Sequence, residues 1–257
     1  MIKPKEPVET RLQRIRSRSE ADSEATFRHL ISHVDEKMLK DCFNSLKGNK
    51  AVGIDGVSKS DYEDRLDENI TNLLVRMKTF SYRPGPVREV FIPKSDGGRR
   101  PLGISSIEDK IVQKAFARIL ESIYEPIFTE QSFGFRRGRK PQDAIKSIYQ
   151  DLWKTQNGYV LDLDIRNYFG QINQQQLVDL LRIKIKDEVF IRYIVRMFKS
   201  GIFSEDGGLR ISDQGTPQGS IVSPILANIY GHYALDKWVS EVVAPRVNGL
   251  KYYRYCD

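Results

Sequence analysis

Along most of the chain apolar residues recur every three or four positions, the spacing that gathers them on one face of a helix. In residues 10–34, Leu12 and Ile15, then Phe27, Leu30 and Ile31, keep that spacing with Arg11, Arg14, Arg16 and Arg18 outside it, which predicts a basic helical extension. Asp35 is placed to cap a second helix whose stripe is Met38, Leu39, Cys42, Phe43 and Leu46, with Gly48 ending it. A third helix carries Leu66, Ile70, Leu73, Leu74 and Met77 and should stop before Pro84. The texture then changes to β-branched and aromatic residues. Residues 87–92 and 99–104 read as strands joined by the turn Ser95-Asp96-Gly97-Gly98, a β-hairpin with basic character.

Ser105 and Glu108 form a capping box for the next helix, whose Ile107, Ile111, Val112, Ala115, Phe116, Ile119, Leu120 and Ile123 give it a broad buried face. Pro141 suits the first turn of a helix running to about residue 156 and ending near Gly158. Residues 159–165 predict a strand with Val160, Asp162 and Asp164 on one face and Leu161, Leu163 and Ile165 on the other. Helices at 174–183 and 187–199, a small hairpin at Asp206-Gly207-Gly208, a long helix from Ser223-Pro224 and a closing strand at 251–257 complete the reading. There is no internal repeat, and helix and strand mix without βα alternation, so the predicted fold class is α+β.

Composition adds a partner class to this picture. A chain of 257 residues holds one large domain or two modest ones, and its 41 Lys and Arg against 34 Asp and Glu give +7, a balance that favours a polyanion such as RNA or DNA. Neither a run of about 20 apolar residues nor an apolar signal core is present, so a soluble, cytoplasmic protein is expected. Cys42 and Cys256 make no CxxC pair, and His29, His33 and His232 lack matching thiols, which argues against zinc.

The candidate chemistry lies in two aspartates. Joining nucleotides requires a 3′-hydroxyl to attack an α-phosphate in line, and two divalent ions about 3.5–4 Å apart stabilise the attacking and leaving oxygens. Carboxylates on rigid strands hold such ions, and Asp164 and Asp257 end two predicted strands. Asp164 opens Asp164-Ile165-Arg166-Asn167-Tyr168-Phe169, and Asp257 ends Tyr255-Cys256-Asp257. Between them stands the loop Gln214-Gly215-Thr216-Pro217-Gln218-Gly219-Ser220, leading to Ser223-Pro224. In order, the three segments resemble motif A, motif C and motif B of reverse transcriptases. Upstream, Gly53-Ile54-Asp55-Gly56, Phe91-Ile92-Pro93-Lys94, Arg100-Pro101-Leu102-Gly103 and Phe133-Gly134-Phe135-Arg136-Arg137-Gly138-Arg139 are similar to successive blocks of the group II intron-encoded enzymes. Retron and CRISPR-associated reverse transcriptases share much of this set.

The resemblance implies the fingers and palm of a right-hand polymerase, with an antiparallel palm sheet flanked by helices and no thumb. The corresponding divisions are a basic helical extension at 1–34, fingers at 35–158 and palm at 159–257. It makes Asp164, Asp257 and the Ile165 carbonyl the ligands of two Mg²⁺ ions, for which Mn²⁺ could substitute. Lys94 and Arg100 would clamp the triphosphate, Gln218 would touch the nucleotide, and Phe169 would pack under the sugar and exclude a 2′-hydroxyl. The basic run Arg136, Arg137, Arg139 and Lys140 before a helix start suits a nucleic-acid backbone. The implied partners are an RNA template, a DNA or RNA primer, deoxynucleoside triphosphates and group II intron RNA.

Three departures qualify that expectation. The family's second motif C aspartate would follow Asp257, where this sequence stops, so a fragment with weak or no polymerase activity is expected. Gly170 stands where an acidic residue is usual, and Lys140-Pro141-Gln142 where small residues and histidine are commoner. An RNA-binding splicing cofactor without polymerase activity and an inactive remnant stay open as alternatives.

Overall fold

The computed structural model describes residues 6–48, 50–93, 97–155, 158–216 and 219–256. The apolar stripes at its start fold as α1 (Val8–Ala21), α2 (Glu36–Asn44), the short α3 (Lys59–Glu63) and α4 (Leu66–Lys78). Local polar residues set several of their ends. Asp35 accepts from the Met38 amide at 3.0 Å, and Ser58 and Asp61 exchange bonds in a capping box. Strands β1 (Val87–Pro93) and β2 (Arg99–Ile104) come next, then α5 (Ile107–Tyr124) and α6 (Pro141–Lys154). The short α7 (Tyr168–Gln171) precedes α8 (Gln174–Lys184), α9 (Glu188–Phe198), β3 (Ile202–Phe203), β4 (Leu209–Arg210) and α10 (Ser223–Gly231). Beyond α10 the chain continues in wider, π-type helical turns at His232–Asp236 and Val239–Val243.

Helix α5 is the axis of the core, because its apolar residues occupy most of its circumference and leave Ile111, Val112, Ala115, Phe116, Ile119, Leu120, Ile123 and Tyr124 sealed from solvent. Phe116 stacks on Phe190 of α9 with ring centroids 4.3 Å apart. Each such buried ring contributes about 1.5–3 kcal/mol relative to exposure. The hydroxyls of two core tyrosines end on backbone carbonyls, Tyr193 on Met77 at 2.7 Å and Tyr124 on Leu181 at 3.3 Å, so neither is buried without a partner. Helix α1 seats Leu12 and Ile15 in the same core, and Ser19 Oγ donates to the Ile123 carbonyl at 2.6 Å.

The α+β class is as the sequence predicts, with one joining the sequence did not suggest. The two hairpins form a single mixed sheet in the order β2-β1-β3-β4. Strands β1 and β2 are antiparallel with Ile92 opposite Arg100, and β3 runs parallel to β1 with Val87 opposite Ile202. An exposed Arg210 on β4 reaches the buried Glu89 of β1 at 2.6 Å, a charge-assisted bond that crosses the parallel seam.

Three local expectations are corrected. The first helix stops at Ala21, and after Phe27 pairs with Ile185 in an isolated bridge the chain makes a 3₁₀ turn at Leu30–His33. The turn follows His29, whose left-handed φ of 56° a helix cannot continue. Residues 158–165 form neither helix nor strand, and no strand pairs with them among the described residues. Leu161 and Leu163 are consequently 80% and 73% exposed. Alternation makes a segment able to pair, but only a neighbouring backbone makes it a strand. The described part of 251–257 forms only an isolated parallel bridge, Arg254 with Ser132, so the antiparallel palm sheet is not formed among the described residues.

Candidate active site

The segment expected as motif A ends in the tight turn of α7. Asn167 takes the left-handed conformation at φ 52°, and its carbonyl accepts from the Gly170 amide at 2.9 Å. This reversal carries Tyr168 and Phe169 inward, where both are buried. Tyr168 Oη donates to the Ala227 carbonyl of α10 at 2.8 Å.

The glycine-containing motif B loop lies directly on this turn. The Thr216 amide donates to the Phe169 carbonyl at 2.9 Å and the Gly215 amide to the Ile172 carbonyl at 2.7 Å. Gln174 Nε2 holds the loop from below through the Ser212 and Gly215 carbonyls. On the far side, Gly219 approaches β2 so closely that a Cβ would stand 2.4 Å from the Gly103 oxygen, and at φ +100° only glycine sits there without strain. The Ile221 amide then donates to Gln113 Oε1 of α5 at 3.1 Å. Motif A turn, motif B loop and basic hairpin therefore meet.

The motif C approach joins through a polar cluster inside the protein. Phe133 N donates to the Arg254 carbonyl and Arg254 N to the Gln131 carbonyl, both at 2.9 Å. Arg254 is 3% exposed. Its guanidinium grips Asp236 through Nε to Oδ1 and Nη2 to Oδ2, each at 2.8 Å, and also reaches Asn228 Oδ1, Ser132 Oγ and the Cys256 carbonyl. Asn228 Nδ2 donates to the Gly134 carbonyl. A Cβ on Gly134 would fall 2.1 Å from the Cys256 amide, so the Phe133-Gly134-Phe135 segment and the Cys256 backbone are in direct contact.

Asp164 is exposed, and no described residue forms an ion pair with it. The neighbouring Ile165 lines a cavity of about 280 Å³ together with Arg254, Tyr168 and Gly231, which brings the end of the motif A segment to the residues leading to Asp257. Arg100 is exposed on β2, three residues from the Gly103 contact, about 10 Å along an extended strand. Asp257, Lys94 and Gln218 lie outside the described residues. Among the described residues no three His, Cys, Asp or Glu side chains stand together as a metal site. The solvent-facing carboxylate of Asp164, which pairs with no cation among the described residues, fits one oxygen position of a magnesium ion.

The basic run divides by environment. The Arg136 side chain is engaged inside the protein. Its Nε bonds Glu125 at 2.8 Å, its Nη1 reaches the Thr129 and Ser132 carbonyls, its guanidinium lies over the Phe128 ring, and the side chain is 5% exposed. Arg139 pairs with Glu130 and covers Phe133 at 5.2 Å. Arg137 is exposed, 3.7 Å from Glu121. Lys140 precedes α6 with its amide on Asp143 Oδ2 at 2.7 Å. The roles of Asn228, Asp236 and Arg254 have no sequence signal, because each is an ordinary polar residue until the chain folds. Phe135 lies within the 133–139 segment and likewise has no sequence signal of its own.

A family model described as reverse transcriptase (RNA-dependent DNA polymerase) matches residues 92–257. The chain belongs to that family. It is 33% identical over 238 residues to the group II intron-encoded protein LtrA of Lactococcus lactis subsp. cremoris, covering 92% of this chain and 39% of the relative. It is 35% identical over 209 residues to an uncharacterized 91 kDa protein in the cob intron of Schizosaccharomyces pombe, covering 81% of this chain and 25% of that one. A chain of a partial Cas6-RT-Cas1--Cas2 complex matches 84% of this chain and 35% of its own at a TM-score of 0.49 and 20% identity. The intron relatives are thus more than twice as long as the part matched here. No helix of the described residues is long and apolar enough to cross a membrane.

Proposed function

We propose that this chain supplies the fingers and the catalytic floor of the palm in an RNA-directed DNA polymerase of the group II intron type. The observation that carries the reading is the stacking of the motif B loop on the motif A turn, with the Thr216 amide on the Phe169 carbonyl and Gly219 against β2. That arrangement leaves the Asp164 carboxylate facing solvent at one end and the basic hairpin at the other.

In the reaction the primer 3′-oxygen forms a bond to the α-phosphorus of a deoxynucleoside triphosphate, the bond to the β-phosphate oxygen breaks, and pyrophosphate leaves. Asp164, the Ile165 carbonyl and Asp257 are the residues proposed to hold two Mg²⁺ ions, which when bound stabilise the attacking and leaving oxygens. Arg100, with Lys94, neutralises the triphosphate as negative charge moves toward the leaving group. Phe169 selects the sugar by volume, Gln218 touches the nucleotide, and Arg137, with Arg139 and Lys140, follows the template or primer backbone. The partners are an RNA template, a primer and deoxynucleoside triphosphates, with intron RNA as the RNA of origin.

The test is primer extension on an RNA template by the full gene product and by its Asp164→Ala variant, beside RNA binding by both. Loss of extension with binding retained is expected. Extension that persists removes the metal role of Asp164. Binding without any extension by the unsubstituted protein moves the function to that of an RNA-binding splicing cofactor.

A further inference from the structure

Phe135 is a large apolar residue at a costly backbone position. Its φ of +57° is left-handed, a conformation that a bulky side chain occupies only when its surroundings impose it. The surroundings do impose it. On one side, Gly134 is locked against Cys256 and its carbonyl takes the Asn228 amide at 2.9 Å. On the other, Arg136 is fixed by Glu125 and two carbonyls. The ring that results is 46% exposed, although the core lies close by.

That ring meets Phe169 edge-on, with centroids 5.6 Å apart and planes at 73°. The Phe169 backbone is held by Thr216, so the ring of Phe169 keeps only side-chain freedom, and Phe135 and Tyr168 both pack against it edge-on. Edge-to-face geometry places the positive rim of one ring against the negative face of the other, which fixes orientation as well as distance. A side chain that discriminates by volume works only if it cannot rotate away from the group it excludes.

From this contact we infer that Phe135 is a specificity-determining positioning residue, holding the Phe169 ring where it rejects a 2′-hydroxyl on the incoming nucleotide. The inference rests on the polymerase reading and on Phe169 as the sugar-selecting ring. It adds to them a residue on a different segment, on the loop that also contacts Cys256. The strained backbone at 135 thereby has a purpose, since it turns the ring toward Phe169.

The experiment measures the ratio of ribonucleotide to deoxynucleotide incorporation in primer extension by the full gene product, its Phe135→Leu and Phe169→Ala variants, and the double variant. Each ratio is formed on the same active molecules, so partial unfolding of a variant cancels from it. Removing Phe169 should raise the ratio about 10- to 200-fold, the range for a volume-based pocket. Phe135→Leu should raise it about 2- to 10-fold, as befits one aromatic contact, and should add nothing once Phe169 is gone. A Phe169→Ala ratio equal to that of the unsubstituted protein overturns the sugar-selecting role itself. A raised Phe169→Ala ratio with an unmoved Phe135→Leu ratio overturns the present inference alone. Additive effects in the double variant also overturn it, because Phe135 would then act without Phe169. No extension by the unsubstituted protein overturns the polymerase reading on which all of this rests.

Discussion

Arg254 and Asp236 face each other as a two-pronged ion pair sealed inside the protein, both contacts at 2.8 Å and the residues 3% and 1% exposed. The pair lies where the π-type turns after α10, the loop at 131–134 and the residues leading to Asp257 come together. It is one junction through which the motif C approach is attached to the rest of the fold. Tyr252 Oη adds a third donor to Asp236 at 2.9 Å, so both carboxylate oxygens are satisfied.

Breaking one side of this junction should be costly. Asp236→Ala leaves a guanidinium buried without its counter-charge, and removing one partner of a buried pair destabilises by about 3–5 kcal/mol. Replacing both partners, as Asp236→Leu with Arg254→Met, should recover much of that loss in urea denaturation. Extension should nonetheless stay low in the double variant, because the bonds from Arg254 to Ser132 and to the Cys256 carbonyl are gone as well. Recovery of both stability and activity would show that the pair merely fills space.

His232 gives the same region a pH dependence. Burial holds its pKa down at about 4 against an ordinary 6.5, with Lys237, Arg254 and Arg136 acting in the same direction and Asp236 opposing them. Asp236 Oδ2 stands 3.9 Å from Nδ1, but its charge is already engaged by Arg254. As pH falls through 6.5 the unfolded histidine binds a proton, while the folded one stays neutral until about 4. The stabilisation is therefore complete above about pH 6.5 and is lost on the way down, reaching about 3 kcal/mol near pH 4. Urea denaturation at pH 7.5 and 4.5 should show this loss reduced in His232→Leu. Equal pH slopes in the two proteins would count against it.

The helices were legible because their signals are local. Met38, Leu39, Cys42 and Phe43 declare a buried face by spacing alone, and Asp35 declares a cap, whereas the capping box expected at Ser105 and Glu108 is replaced by Ser106, whose Oγ accepts from the Asp109 amide at 3.1 Å. The hairpin of β1 and β2 was legible for the same reason, as its turn lies between its strands. Pairings between distant segments were not. Nothing in residues 202–203 announces a parallel neighbour at 87–88, and the alternation at 159–165 states a capacity to pair without stating with what. The candidate site divides in the same way. Motif order placed Asp164, Phe169 and the 214–220 loop in one region, and the Thr216–Phe169 bond joins the last two. The Arg254–Asp236 junction and the Phe135–Phe169 contact needed coordinates, because ion pairs and ring contacts depend on distance in space.

Adjacent arginines in the basic run should behave in opposite ways. Arg137 projects into solvent, 80% exposed and loosely paired with Glu121, so Arg137→Ala removes the proposed phosphate contact without disturbing the core. Its expected signature is weaker RNA binding with the salt slope reduced by about one and an unchanged melting temperature. Arg136 has its guanidinium inside, shared among Glu125, Thr129 and Ser132. Arg136→Ala leaves those oxygens unpaired and should destabilise by about 3–5 kcal/mol, while the folded fraction keeps the parent's salt slope. Fluorescence anisotropy across a salt series, paired with thermal melts, separates the two. A reduced slope in Arg136→Ala with stability intact would return Arg136 to the nucleic-acid surface and undo the structural role given to it.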